Sequence, residues 1–240
     1  MTIVAVATAD PQRSEQVRKD VPGTRVVADL EALLAVHGLD LVVLATPSGV
    51  HARQARQCID AGITVVADKP LATEATQAFG VVSAARAAGV AITVFQNRRF
   101  DAEHVAAREV VRSGQLGDVF RHELRWERWR PTPKDRWREN ASAVDGGGIL
   151  LDLHSHMIDS AVDLFGSIDS VYAEVAAHTT GAEDDAFLAC RHTSGVLSPL
   201  GATSASPAPP PRLPSLALAR PSLPTAFDAP VTPPSPTPAP

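Results

Sequence analysis

From Ile3 to Phe95 the chain alternates short β-branched, apolar runs with longer segments whose apolar residues recur at helical spacing, the signature of βαβ units in a parallel sheet. The pattern predicts five strands: Ile3–Ala7, Arg25–Val27, Asp40–Ala45, Ile63–Ala67 and Ala91–Phe95. Helices are predicted over Pro11–Asp20, Asp29–Val36, Val50–Ala61 and Thr73–Ala88. Asp10, Asp29 and Thr73 supply side-chain oxygens for orphan amides at helix starts, and Pro11 fits a first turn. Gly62 and Gly89 fall just past helix ends.

After Phe95 the pattern changes. A helix is predicted from about Asp101 to Arg112, a strand around Val119–Glu127, a polar Trp/Arg-rich loop, and a helical stretch from Gly148 to Phe165. Ser170–His178, Ala186–His192 and Val196–Ala202 alternate as strands of an open sheet with that helix packed behind one face. The expected organisation is α/β: a doubly wound Rossmann-type domain over residues 1–98, an α+β open-sheet domain over 99–202, and a tail over 203–240. Thirteen of the twenty prolines fall between Pro207 and Pro240, where only Arg212, Arg220 and Asp228 carry charge. Such a segment cannot sustain a regular sheet. Either it is a disordered tail or a reading-frame shift near Thr203 has replaced a strand-forming continuation.

Composition narrows the function classes. With 240 residues and 45% hydrophobic content there is apolar material for a sizeable core or two joined domains. Apolar runs such as Leu41–Ala45 are far short of a membrane span, and no signal-peptide pattern opens the chain, so a cytoplasmic location without membrane contact is expected. The two cysteines, Cys58 and Cys190, lack metal or redox spacing and read as packing residues. A net charge of -5 gives no footprint for nucleic acid. The basic and aromatic stretch Arg121–Arg138 interleaves acids and reads as a substrate-facing loop.

In a doubly wound sheet, ligands sit beyond the carboxyl ends of the strands. Three such loops stand out: Ala45-Thr46-Pro47-Ser48-Gly49-Val50-His51, Asp68-Lys69-Pro70, and Gln96-Asn97-Arg98-Arg99. Lys69 follows a buried strand and precedes a proline that biases it to extended geometry, so its ammonium is expected in the crevice, where it can stabilise charge developing on a substrate oxygen. The alternative is a solvated surface lysine. In Gly146-Gly147-Gly148-Ile149-Leu150-Leu151-Asp152-Leu153-His154-Ser155-His156, Asp152 and His156 are four apart and share a helix face. A histidine there can take a hydroxyl proton, with the carboxylate orienting it, or the pair is an ordinary surface hydrogen bond. His154 and His156 diverge on a helix, and with no third ligand cluster in the sequence no metal is expected.

These motifs together, Ala-Thr-Pro-Ser-x-x-His, Asp-Lys-Pro and Gly-Gly-Gly-x-Leu-x-Asp-x-x-x-His in that order, resemble the glucose-fructose oxidoreductase and inositol dehydrogenase (Gfo/Idh/MocA) family from about Val4 to Ala202. The resemblance implies that Lys69, Asp152 and His156 bind and deprotonate a secondary hydroxyl of a sugar, inositol or related polyol while hydride passes to NAD or NADP. It places Thr46, Pro47, His51 and Lys69 along the cofactor, and Asn97, Arg98 and Trp137 in segments that line the substrate. A homo-oligomer packed through the open sheet is compatible with it.

The departures matter equally. Family members begin with a strand and a Gly-x-Gly-x-x-Gly turn that holds the pyrophosphate; Ile3–Ala7 matches the second family strand, and no such turn occurs in the chain. The absent strand belongs at the sheet centre, so two open apolar edges, poor folding and weak dinucleotide binding are expected. Thr8 stands where the family has an acid for the adenosine ribose and Asp10 two residues later, leaving NAD and NADP both open. His154 replaces a common family glycine. Besides the dehydrogenase, two other readings follow: a non-catalytic relic or small-molecule-binding protein of this fold, and a metal-dependent hydrolase using Asp152, His154 and His156.

Overall fold

The computed structural model describes residues 2–130, 132, 134 and 136–207, with the backbone of 215–217. Most of the Pro-rich tail lies outside the described residues. The first half contains β1 (Ala5–Ala7), α1 (Pro11–Asp20), β2 (Arg25–Val27), α2 (Leu30–Leu34), β3 (Leu41–Leu44), α3 (His51–Asp60), β4 (Thr64–Asp68), α4 (Ala75–Ala88) and β5 (Ile92–Phe95). The expected caps form at two helices: Asp10 accepts from the Gln12 amide at 2.8 Å, and Asp29 from the Ala32 amide at 2.8 Å. Thr73 does not cap α4. Its hydroxyl donates to the Val144 carbonyl at 3.2 Å, in the second half of the chain.

All five strands form, but the sheet is in two parallel pieces. β3, β4 and β5 pair in sequence, with Val42 opposite Val65 and Val65 opposite Ile92. β1 pairs with β2, Ala5 opposite Arg25, and among the described residues no ladder joins β1 to β3. This is the break expected if a central strand belongs between them. Val42, Leu44, Val65 and Ala67 alternate onto one face and pack on Ala55, Cys58 and Ile59 of α3 and Val81 and Ala85 of α4. Among the described residues the opposite face is left open: Val43 is 60% and Phe95 52% exposed, although parallel sheets are ordinarily covered on both faces. Replacing Val43 and Phe95 together by threonine should therefore reduce self-association in light scattering and leave the thermal midpoint within a few degrees. Loss of the cooperative transition would instead show that this face is packed in solution.

The second half contains α5 (Ala102–Arg112), β6 (Val119–His122), β7 (Leu124–Glu127), α6 (Trp137–Asn140), α7 (Ser155–Phe165), β8 (Ile168–Ala176), β9 (Asp185–His192), β10 (Leu197–Thr203) and β11 (Ser215–Ala217). The sheet order is β11-β6-β10-β9-β8, with β7 also on β10. β8, β9 and β10 are antiparallel, whereas β6 and β7 run parallel to β10. The single strand expected over Val119–Glu127 is split at Glu123. Leu197 faces Arg121 and Leu200 faces Leu124 in one register, so Pro199, which has no N–H to donate, falls opposite the break.

Ala186, Leu188, Cys190, Leu200 and Ala202 bury one sheet face against Leu153, Met157 and Ala161. The helical stretch expected from Gly148 to Phe165 differs from a plain α-helix: Leu150–His154 form a π turn that leads into α7. Among the described residues no helix is long and apolar enough to cross a membrane.

Candidate active site

β4 carries the chain through the core and delivers Lys69 at its carboxyl end, where the lysine side chain is only 9% exposed. The ammonium donates to the Asp152 carboxylate at 3.1 Å and to the Asp152 backbone carbonyl at 2.5 Å. Lys69 is thus a buried link between the two halves of the chain and not a solvated surface lysine. Arg138 Nε adds a second cation 3.4 Å from the same carboxylate. Burial alone would raise the Asp152 carboxyl, but the Lys69 charge and hydrogen bond, then Arg138 and Arg128, outweigh it and hold the group below its ordinary value.

His156, 7% exposed on α7, lies beside the Trp126 ring at a centroid distance of 6.0 Å. Its Nδ1 is buried without a hydrogen-bond partner. Burial first, then the Lys69 and Arg98 charges, push its pKa down to about 4, partly offset by Asp152 and Asp68. The imidazole is neutral at pH 7 and free to accept a proton. Asp152 makes no hydrogen bond to it; that carboxylate accepts from Lys69. Asp152 lines one cleft, of about 440 Å³, and His156 another, of about 460 Å³. Lys69 connects them, touching Asp152 and setting the field at His156.

His154 faces elsewhere. It is fully buried, with Nε2 3.3 Å from the Leu200 carbonyl of β10. Burial depresses its pKa, and the hydrogen bond to the Leu200 carbonyl opposes that. Among the described residues no three His, Cys, Asp or Glu side chains gather as a metal-ion set.

The remaining predicted residues divide by location. His51 is buried at the start of α3, its ring bridging the Pro70 carbonyl at 2.8 Å and the Thr46 carbonyl at 2.7 Å. It therefore ties the loops after β3 and β4 together. Pro47 opens the turn Ser48–Val50, and the Thr46 hydroxyl is exposed, donating to Gln54 at 2.5 Å. Thr8 and Asp10 sit at the end of β1, on the other sheet fragment, with local hydrogen bonds to one another and to the α1 amides. Asn97 is exposed after β5. Arg98 lies 4.7 Å over the Trp126 ring, in the His156 cleft. Trp137 stacks under Arg138 at 4.4 Å and does not line either cleft. Trp126, Arg128, Arg130 and Arg138 were not singled out from sequence; their signal was the basic and aromatic composition of 121–138.

Glycines weld this arrangement. A Cβ on Gly49 would lie 2.7 Å from the Asp145 carbonyl oxygen, so the loop after β3 packs backbone to backbone on the turn at Asp145. A Cβ on Gly147 would strike the Ala141 carbonyl. Gly147→Ala should cost about 2–3 kcal/mol in urea unfolding through this overpacking; an unchanged midpoint would mean that the 141 segment yields freely.

Sequence comparison matches residues 1–96 to the NAD-binding Rossmann-fold profile of the Gfo/Idh/MocA oxidoreductase family and residues 104–214 to the family's C-terminal domain profile. The chain belongs to the Gfo/Idh/MocA family. Its similarity to scyllo-inositol 2-dehydrogenase (NADP(+)) IolW of Bacillus subtilis is 36% identity over 171 residues, 71% of this chain and 47% of that protein. Inositol 2-dehydrogenase of Rhodococcus erythropolis is 40% identical over 106 residues, 44% of this chain and 31% of its own length. Among solved Gfo/Idh/MocA-like structures, the yvaA protein of Bacillus subtilis superposes with a TM-score of 0.81 at 31% identity, over 90% of this chain and 60% of that one. The WlbA dehydrogenase of Bordetella pertussis, solved with NADH and UDP-GlcNAcA, gives 0.79 at 28%, over 90% and 68%. The chain spans about half the length of the curated relatives it matches over most of its residues.

Proposed function

We propose that this Gfo/Idh/MocA chain carries the reacting groups of a cytoplasmic, NAD(P)-dependent oxidoreductase acting on a secondary hydroxyl of a sugar, inositol or polyol. The observation that carries the reading is the buried Lys69 ammonium, held on Asp152 from the other half of the chain and lying close enough to His156 to help keep it neutral. A substrate hydroxyl that meets both Lys69 and His156 can give its proton to the imidazole, while the ammonium stabilises the developing alkoxide. Asp152 positions the ammonium.

The cofactor fit is uneven. The loops after β3 and β4, joined through His51, shape the crevice end near Lys69, where Thr46 offers an exposed hydroxyl. The residues present include no Gly-x-Gly-x-x-Gly turn, and among the described residues no ladder joins β1 to β3, where that turn's strand belongs. When bound, the nicotinamide supplies the hydride acceptor; the residues present offer its neighbours more than they offer a pyrophosphate cradle. The open seam between β1 and β3 supports a second reading, a small-molecule-binding protein of this fold without hydride transfer.

Two measurements on the full chain separate the readings: NADH and NADPH binding by fluorescence titration, and reduction of NAD or NADP during incubation with inositols and sugars. Dinucleotide binding with substrate-dependent absorbance at 340 nm supports the oxidoreductase. Polyol binding without either supports the second reading.

A further inference from the structure

We propose that the substrate of this site carries an anionic group, a carboxylate or a phosphate, held by Arg128 and Arg130; the inference rests on the polyol reading above and narrows it. Beyond β7 the chain runs extended along the end of β10, with the Arg128 amide donating to the Thr203 carbonyl at 3.0 Å and the Arg130 amide to the Ser204 carbonyl at 2.8 Å. In extended backbone, residues two apart point the same way. Arg128 and Arg130 accordingly both line the 440 Å³ cleft that holds Asp152.

Four cations, Arg128, Arg130, Lys134 and Arg138, and four acids line that cleft, but they are unevenly paired. Its acids all have donors. Asp152 has Lys69 and Arg138, Glu139 has Arg136, Glu183 accepts from the Leu150 amide at 3.3 Å, and Asp184 accepts from the His178 and Thr179 amides at 2.7 and 2.9 Å. Among the described residues, by contrast, neither Arg128 nor Arg130 has a carboxylate within ion-pair distance. Arg128 makes one side-chain hydrogen bond, Nε to the Ser204 hydroxyl at 3.3 Å. Burial first, then the Arg130 charge, lower its pKa, and the Asp152 and Glu139 charges offset this only in part. Two like charges brought together in a partly desolvated cleft are unfavourable unless an anion sits between them. A guanidinium pair presents several donors in the planar geometry that carboxylates and phosphates accept. Asp152, the carboxylate that holds Lys69, lines the same cleft, so an anion held by the arginines would place the rest of a sugar-sized ligand against the Asp152 end of the Lys69–Asp152 contact.

The test is calorimetric binding to the full chain, independent of turnover. The probes are D-glucuronate and D-gluconate for the carboxylate arm, D-glucose 6-phosphate for the phosphate arm, and D-glucose and myo-inositol as neutral controls. At least a tenfold tighter Kd for one anionic arm over the neutral controls is expected, weakening with added salt. Arg130→Gln, a change at a partly exposed position, and Arg128→Gln should each weaken that arm at least tenfold more than they weaken any neutral probe, with the cooperative thermal transition retained. Equal affinity for charged and neutral probes, no binding of any anionic probe, or variants that bind the anion like the parent would overturn the proposal. Loss of NAD(P) reduction with anion binding intact would count against the oxidoreductase reading alone.

Discussion

Lys69→Met is expected to cut NAD(P) reduction by orders of magnitude and to destabilise the chain at the same time. The substitution keeps the length and apolar stem of the side chain but removes the charge that Asp152 faces at 3.1 Å. Stripping one partner from a buried ion pair ordinarily costs about 3–5 kcal/mol. Asp152 is 24% exposed and keeps Arg138 at 3.4 Å, so about 2–3 kcal/mol is the expected loss in urea unfolding. Hydride transfer should fall by roughly a factor of 100 to 1000 or more, the usual effect of removing one preorganised donor. A second substitution separates the two effects. Asp152→Leu placed on Lys69→Met removes the stranded carboxylate and should restore most of the stability but none of the activity. A Lys69→Met protein that unfolds at the parent's urea midpoint would show that the contact carries no net free energy, and retained turnover would remove Lys69 from the mechanism.

That contact explains what was legible beforehand and what was not. The strands and helices of residues 5–95 follow from local alternation and from Asp10, Asp29 and Gly89 at helix ends, so they form within two residues of expectation at most boundaries. The Lys-Pro and Asp-x-x-x-His motifs marked Lys69, Asp152 and His156, but nothing local says that Lys69 reaches across 83 residues to Asp152. The rearranged roles have the same origin. An α-helical phase pairs Asp152 with His156; in the structure the carboxylate is taken by Lys69 and lines a different cleft from His156. Likewise Thr73 was read as a cap because caps are local, while its actual acceptor, the Val144 carbonyl, lies in the other half. The Arg128 and Arg130 pair was present in the sequence as composition only. Its meaning depends on which acids are already occupied, and that is a property of the folded chain.

Mild acid is expected to destabilise this protein before Asp152, Asp163 and Asp184 titrate. His122, 1% exposed, is pushed to a pKa of about 4 by burial first and then by the His192 and His104 charges. His156 is held at about 4 by burial, Lys69 and Arg98, and His154 shifts in the same direction. An unfolded histidine titrates near 6.5. Between about pH 6.5 and 4 the unfolded chain therefore binds more protons than the folded one, and stability falls as pH falls. The loss approaches about 3 kcal/mol for each of His122 and His156 by pH 4. Asp152, Asp163 and Asp184 are all held below the ordinary carboxylate value, so their contributions persist until more acidic pH. Urea midpoints measured from pH 7.5 to 4.5 should fall steeply over this range. His122→Phe, whose ring can keep the contact with Phe165 now made at 5.1 Å, should flatten the slope by roughly half if His122 and His156 carry it about equally. The same slope in parent and His122→Phe would show that this histidine is accommodated in its charged form and that the acid sensitivity arises elsewhere.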